Sequence, residues 1–241
     1  LTLTYNGEIY NYKELRAELA NGGVRFQSDS DTEVILEAYR KWGDACLDRF
    51  NGMFAFALHD GDRDRILCAR DRFGEKPFLF TSGTGFFAFA SEYKALLTLE
   101  GVRAEIYDNL LAQFLVTPSN ALDHNRQTLF RDIAQLLPGE KLVLNTHDLS
   151  FEVSSYWQPP NEHAPSNMPV NDAILTFRDL LEDAVRIRLR SDVRVGSCLS
   201  GGLDSGSITC LARGLVGDEA AYDTFTGRFP GSDADEGIWA E

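Results

Sequence analysis

VRVGSCLSGGLDS, residues 193–205, carries a short apolar strand into a glycine turn that opens a helix. The helix is expected from about Asp204 to Gly214, and AYDTFTG at 221–227 reads as a second strand. Strand, crossover helix and strand in that order make a β-α-β unit, and so a parallel α/β sheet. Such a turn is suited to an anion, because backbone N–H groups at the helix start point outward and the helix dipole adds partial positive charge. Gly201 and Gly202 let oxygens approach the backbone closely, and Ser200 and Ser205 add hydroxyl donors. Asp204 would repel a phosphate unless a divalent cation lay between them, so the pattern implies Mg²⁺ and polyphosphate together. The lysine of a Walker A loop is absent, and γ-phosphate transfer is not expected.

Upstream of this unit, residues 170–190 place Ile174, Phe177, Leu181, Ala184, Val185 and Ile187 on one side of a long helix. Before that helix, QPPNEHAPSNMP at 158–169 holds four prolines and little that can pack, which marks a linker. The texture of residues 1–157 is different. LTLTYNG at 1–7 is a short strand ending in a turn signal, and Tyr12, Leu15 and Leu19 recur at helical spacing. A second helix starts at SDSDTEV, where Ser30 or Asp31 can cap it and Val34, Ile35, Ala38 and Tyr39 form its apolar face. From Gly52 to Ala90, short apolar runs broken by Gly and Asp predict an antiparallel sheet. Helices are expected over Ser91–Thr98 and Asp108–Val116, then a hairpin spanning Lys141–Val153. The chain is therefore expected to be α+β followed by α/β, divided as 1–157, a linker at 158–169, and 170–241.

Composition sets outer limits. With 241 residues and 44% hydrophobic content the chain can form two modest cores. Thirty-seven acidic residues against 23 basic ones give a formal charge of −14, which disfavours nucleic acid or an anionic membrane as a partner. Cys46, Cys68, Cys198 and Cys210 have neither metal-site nor disulfide-scaffold spacing, so a reducing cytoplasm is the simplest compartment. His59, His124, His147 and His163 fit no metal or base spacing and are read as incidental.

SGGLDS resembles the pyrophosphate-binding SGGxDS signature of the ATP-pyrophosphatases, which adenylate a substrate and release pyrophosphate. That resemblance implies ATP and Mg²⁺, with Ser200, Gly201, Gly202, Asp204 and Ser205 on pyrophosphate and Asp204 meeting the metal through it. Cys198 and Gly227 would be the counterparts of the residues that contact adenine. A second constellation narrows the substrate: YNGEIYN at 5–11 with SDTE at 30–33 resembles the glutaminase half of the glutamine-hydrolysing asparagine synthetases. The resemblance implies that Asn6 and Gly7 form an oxyanion hole for the glutamine amide, and that Glu8 and Asp31 hold its α-ammonium. LDRFNGMFAFALHD, ARDRFGEKPFLF, FASEYKALL, TLFRDIAQLLPGE, SYW and SDVRVG match the same family and are assigned mainly to fold.

The implied architecture is an N-terminal-nucleophile-type αββα sandwich joined to the start of a parallel-sheet adenine nucleotide α-hydrolase-like domain, both incomplete. The implied reaction converts aspartate, glutamine and ATP to asparagine, glutamate, AMP and pyrophosphate through an acyl-adenylate. Glutamine, aspartate and ATP are the expected partners, with no nucleic acid or membrane, and a homodimer is left open. A β-lactam synthetase or peptide-cyclase-like relative, and a non-catalytic glutamine or ATP sensor, are the alternatives. Class II amidotransferases attack with an N-terminal cysteine whose α-amino group is the base, and Leu1 cannot do so. The resemblance thus reads the sequence as an internal piece of a longer enzyme, inactive alone.

Overall fold

The computed structural model describes residues 1–117, 125–160, 167–217, 221–232 and 235–239. The chain divides into two compact units, Leu1–Asn161 and Glu162–Glu241.

In the first unit β1 (Thr2–Ile9) leads to α1 (Tyr12–Asn21) and α2 (Asp31–Trp42), followed by a 3₁₀ helix at Gly43–Arg49. Next come β2 (Gly52–Asp60), β3 (Arg65–Arg70), β4 (Leu79–Gly83), β5 (Phe86–Ala90), the single-turn α3 (Tyr93–Leu96) and α4 (Asp108–Val116). β6 (Ala134–Gln135), β7 (Glu140–Asn145) and β8 (Phe151–Ser155) complete it. The strands form two antiparallel sheets, one ordered β1-β2-β3-β7-β8 and the other β5-β4-β6.

The layers follow from strand parity. On β2, Phe54, Phe56 and Leu58 turn to one face and pack with Leu15 and Leu19 of α1 and Val34, Ile35 and Ala38 of α2. Ala55 and Ala57 turn to the other face and, with Cys68, Leu142 and Leu144, meet Phe78 and Phe80 of the second sheet. Leu79, between those two phenylalanines, points away from them and packs with Leu96, Val102 and Ile133. Helices, sheet, sheet and helix make the expected αββα sandwich.

The antiparallel strands expected over Gly52–Ala90 form and are shared between the two sheets, β2 and β3 in one and β4 and β5 in the other. At the connection between β3 and β4 two adjacent charged residues, Arg70 and Asp71, are buried and bond to main-chain groups. The Asp71 carboxylate accepts from the N–H groups of Phe54 (3.1 Å), Phe73 (3.1 Å), Glu75 (3.0 Å) and Lys76 (2.9 Å). The Arg70 guanidinium donates to the carbonyls of Leu136 (2.7 Å), Lys76 (2.8 Å) and Gly74 (2.8 Å), and to Gln135 Oε1 (3.4 Å). A buried charge is tolerated when such polar partners surround it. Here they also fix the loop that carries the chain from one sheet to the next. ARDRFGEKPFLF is therefore a structural motif, as the sequence reading assigned it.

The second unit contains α5 (Val170–Arg188), β9 (Gly196–Cys198), α6 (Leu203–Val216) and β10 (Asp223–Phe225), with a 3₁₀ turn at Glu236–Trp239. β9 and β10 pair in parallel, Cys198 opposite Phe225, giving the expected β-α-β unit. Only part of the predicted apolar face of α5 is covered: Val185 and Ile187 are buried, but Ile174 and Phe177 are 60% and 67% exposed. The described strands and α6 reach only the C-terminal half of that helix, where Leu181, Ala184, Val185, Ile208 and Ala212 surround a cavity of about 320 Å³. The expected linker at 158–169 and the histidines at 124 and 163 fall wholly or partly outside the described residues. No helix among the described residues is long and apolar enough to cross a membrane.

Asp71→Ala would strip four N–H groups of their acceptor, that of Phe54 buried and those of Phe73, Glu75 and Lys76 part-buried. With each orphaned donor costing about 1–3 kcal/mol, the expected loss is about 4 kcal/mol or more, read as a fall in the urea midpoint.

Candidate functional site

YNGEIYN lies along β1 and into the turn that follows, and its parity divides its side chains between two faces. Tyr5 and Gly7 stand opposite Phe56 and Phe54, on the helix side of the sheet. Asn6 stands opposite Ala55, on the side of the second sheet, and Glu8 shares that face. The Asn6 amide donates to Ser91 Oγ (3.2 Å), immediately after β5. Asn6 and Ser91 border a cavity of about 340 Å³ whose apolar wall includes Ala55, Ala57, Phe78 and Phe89. This exposed contact joins the Asn6 amide of the first sheet to the residue that follows β5 of the second.

Gly7 is required by the backbone. Its φ is +152°, and a Cβ there would lie 2.1 Å from the Met53 carbonyl oxygen and 2.6 Å from Phe54 Cα. No side chain can be accepted without separating β1 from β2. Asn11 closes the other end of the motif, donating to the Arg49 carbonyl (2.9 Å) and accepting from Asn51 N–H (3.0 Å). The second asparagine of the motif is thus a clamp on the turn before β2, a role that the sequence left unassigned.

Asp31 was one of two candidates to cap α2. The cap is Ser30, whose hydroxyl accepts from Thr32 N–H (3.1 Å), and Asp31 is released for other work. Its Oδ2 accepts from the Tyr5 hydroxyl (2.8 Å) and from Ile9 N–H (3.0 Å). That places the Asp31 carboxylate at β1, beside the residue that follows Glu8. Burial, then Asp31, then the more distant Glu8 charge raise the Tyr5 hydroxyl far above the ordinary tyrosine value, so it remains a donor. The loop leading to Asp31 is pinned by Glu33, whose carboxylate accepts from Ser28 N–H and Oγ (both 2.7 Å) and Gln27 N–H (2.8 Å). Sequence reasoning missed the parts played by Tyr5, Ser91 and Glu33. Tyr5 and Glu33 flank the motif residues and could have been suspected; Ser91 is 85 positions from Asn6, and only the sheet stacking reveals it.

In the second unit the loop Ser200–Ser205 joins the C-terminal end of β9 to α6. Gly201 has φ +89°, a left-handed conformation that favours glycine, and Gly202 is the N-cap of α6. The Ser200 and Ser205 hydroxyls contact each other at 2.9 Å; Ser200 Oγ also accepts from Gly202 N–H (3.3 Å) and Ser205 Oγ donates to the Gly202 carbonyl (3.2 Å). These bonds shape the turn. The first helix-closing bond is Gly206 N–H to the Gly202 carbonyl, so the N–H groups of Leu203, Asp204 and Ser205 precede the helical ladder. Cys198 ends β9 and Gly227 lies two residues past β10, and Leu199 N–H donates to the Phe225 carbonyl between them. All seven nucleotide-site candidates are thus gathered at the C-terminal edge of the parallel pair, where ligands of open α/β sheets bind.

The described residues contain no cluster of three or more His, Cys, Asp or Glu able to hold a metal ion. Asp204, exposed at the first turn of α6, is one carboxylate. One carboxylate with phosphate oxygens and water suits a magnesium ion delivered with a polyphosphate.

Gly7→Ala is expected to lower stability by about 2–4 kcal/mol in urea unfolding, because positive φ and the Met53 contact act together. A pH effect follows from Glu33. Ser28, with help from Gln27 N–H, holds its carboxyl below the ordinary value. The contribution is therefore complete above the ordinary carboxylate range and is lost as pH falls through the folded value. Hydrogen exchange at Gln27 and Ser28 should show constant protection from about pH 7 to 5, falling below about pH 4.

With both sites described, comparison with known proteins can be stated. Residues 1–157 match the family model described as glutamine amidotransferase domain, and residues 176–241 match that described as asparagine synthase. The glutamine-hydrolyzing asparagine synthetase 3 of Bacillus subtilis (strain 168) is 38% identical over 214 residues, covering 88% of this chain and 34% of the relative. A putative glutamine-hydrolyzing asparagine synthetase of Methanocaldococcus jannaschii is 34% identical over 234 residues, covering 96% and 44%. One from Mycobacterium bovis is 39% identical over 215 residues, covering 87% and 32%. The chain spans between about a third and somewhat under half the length of these relatives. By a match that spans most of its length, this chain belongs to the glutamine amidotransferase domain family over residues 1–157, and its residues 176–241 are similar to asparagine synthase.

Proposed function

We propose that the protein transfers the amide nitrogen of glutamine to the side-chain carboxylate of aspartate at the expense of ATP, yielding asparagine, glutamate, AMP and pyrophosphate. The observation that carries this reading is the union in one chain of a β1 oxyanion arrangement with a glycine turn at the C-terminal edge of a parallel β-α-β unit. The first suits release of ammonia from an amide, and the second suits a nucleotide that activates a carboxylate.

In the first unit Asn6 Nδ2 and Gly7 N–H receive the negative charge that develops on the amide oxygen of glutamine, while Glu8 and Asp31 take its α-ammonium. In the second unit Ser200, Gly201, Gly202, Asp204 and Ser205 hold the pyrophosphate portion of ATP, with Cys198 and Gly227 at the adenine. A bound magnesium ion, held through the phosphates near Asp204, supplies charge neutralisation there. The aspartate β-carboxylate displaces pyrophosphate from the α-phosphorus, and ammonia then displaces AMP from the resulting acyl-adenylate. Splitting the work between two sites suits the chemistry, since ammonia released into neutral water would be mostly protonated and no longer nucleophilic. The proposed setting is a reducing cytoplasm, in keeping with Cys46 and Cys68 buried as free thiols.

The test is a reaction of the protein made from its complete reading frame with ATP, aspartate and glutamine labelled with nitrogen-15 in the amide. Labelled asparagine, with AMP and pyrophosphate in equal amounts, is the expected result. Absence of both asparagine and AMP would overturn the proposal. In the same assay Asp204→Asn is expected to cut synthesis by about a hundredfold or more while leaving glutamine hydrolysis within about twofold of wild type.

A further inference from the structure

The Tyr5 hydroxyl has no place in the chemistry described so far, yet it is aimed at the carboxylate assigned to the glutamine α-ammonium. The two residues are 26 positions apart, one on β1 and the other in the first turn of α2. Tyr5 Oη donates to Asp31 Oδ2 at 2.8 Å, and Ile9 N–H donates to the same oxygen at 3.0 Å. Two donors on one oxygen fix both the position and the rotation of a carboxylate, because each alone would allow the group to pivot about the bond. Among the described residues Oδ1 has one long contact, 3.5 Å from Ser30 Oγ. The carboxylate is therefore anchored by one oxygen and presents the other.

We propose that Tyr5 is a positioning residue for glutamine recognition: with Ile9 N–H it immobilises Asp31 Oδ2, so that Oδ1 faces the α-ammonium of the incoming amino acid. The inference rests on the reading of Asp31 as an α-ammonium ligand. The tyrosine suits the task because burial and the adjacent carboxylate keep its proton in place, and it therefore donates throughout the working pH range. Its ring also lies on the helix side of the sheet, packed against the core beneath α1 and α2, so the hydroxyl is delivered from a rigid base. A hydroxyl on a flexible side chain would surrender this advantage, since holding it still would cost rotamer entropy.

The consequence is selective. Removing the hydroxyl should weaken the grip on the charged end of glutamine and leave the amide end, governed by Asn6 and Gly7, unaffected. The experiment is steady-state glutamine hydrolysis by the protein made from its complete reading frame, comparing wild type, Tyr5→Phe, Asp31→Asn and the double variant. Tyr5→Phe is expected to raise KM for glutamine about tenfold, the scale of one lost hydrogen bond to a charged group, with kcat within about twofold. In the double variant the Tyr5 change should add nothing to that of Asp31→Asn, because the tyrosine acts through that carboxylate. An unchanged KM for Tyr5→Phe, with a raised KM for Asp31→Asn, would overturn the proposal and leave the role of Asp31 standing. Additive effects of the two changes, or a fall in kcat matching the rise in KM, would mark Tyr5 as merely structural and also overturn it. An unchanged KM for Asp31→Asn would remove the reading beneath it, and the proposal with it.

Discussion

The crossing between the two sheets of the first unit rests on a pair of adjacent buried charges that bond mainly to backbone. Arg70 and Asp71 sit where the chain leaves one sheet for the other, and the guanidinium takes carbonyls while the carboxylate takes N–H groups. Opposite charges thus divide the polar atoms of the same loop between them. The Asp71 main chain continues the pattern, receiving Gly139 N–H at its carbonyl and donating its N–H to Phe54. Tyr156, near the end of the unit, donates to the Arg70 carbonyl at 2.8 Å. The crossing point is consequently tied to β2, to the start of β7 and to the segment after β8. Two stacked sheets could slide on an apolar interface alone, because hydrophobic burial has no direction. Directional bonds at the crossing fix their relative position.

That fixed stacking matters to the candidate site, whose parts come from both sheets. Asn6 belongs to β1 and Ser91 to the end of β5, and they meet only because the sheets are in one particular alignment. Asp31 reaches β1 from the helix layer. Glutamine recognition, as proposed, therefore draws on three of the four layers. The nucleotide-site candidates are simpler, since one parallel strand pair and one helix start gather them all.

This difference explains what could be read from the sequence. SGGLDS was legible because its geometry is local: strand, turn and helix follow one another within a dozen residues, and the glycine with positive φ lies in the quoted motif. The αββα architecture was legible from the family resemblance and from alternating runs such as MFAFALHD. Which of the strands over 52–90 join which sheet was not, because alternation marks a strand without naming its partner, and the bonds from four main-chain N–H groups to Asp71 at the crossing leave no periodicity. The choice between Ser30 and Asp31 as helix cap was undecidable locally, since both residue types cap well, and it was settled by Tyr5 from 26 positions away. The α5 helix was legible, but how far its apolar side is covered was not. Helical spacing shows which residues share a side, but burial also needs something to cover them, and Ile174 and Phe177 have no such cover among the described residues.

The Asn6 to Ser91 contact has an implication for how the fold can age. A hydrogen bond joining two layers makes the direction of the Asn6 amide a readout of their alignment, so a drift too small to expose any core residue would still rotate that amide. Ala55, Ala57, Phe78 and Phe89 line the same cavity, so a substitution among them acts on the layer spacing and on the Asn6 amide together. Small residues on one sheet facing aromatic ones on the other set the spacing between layers, and the Asn6 to Ser91 contact is read at the length that spacing allows.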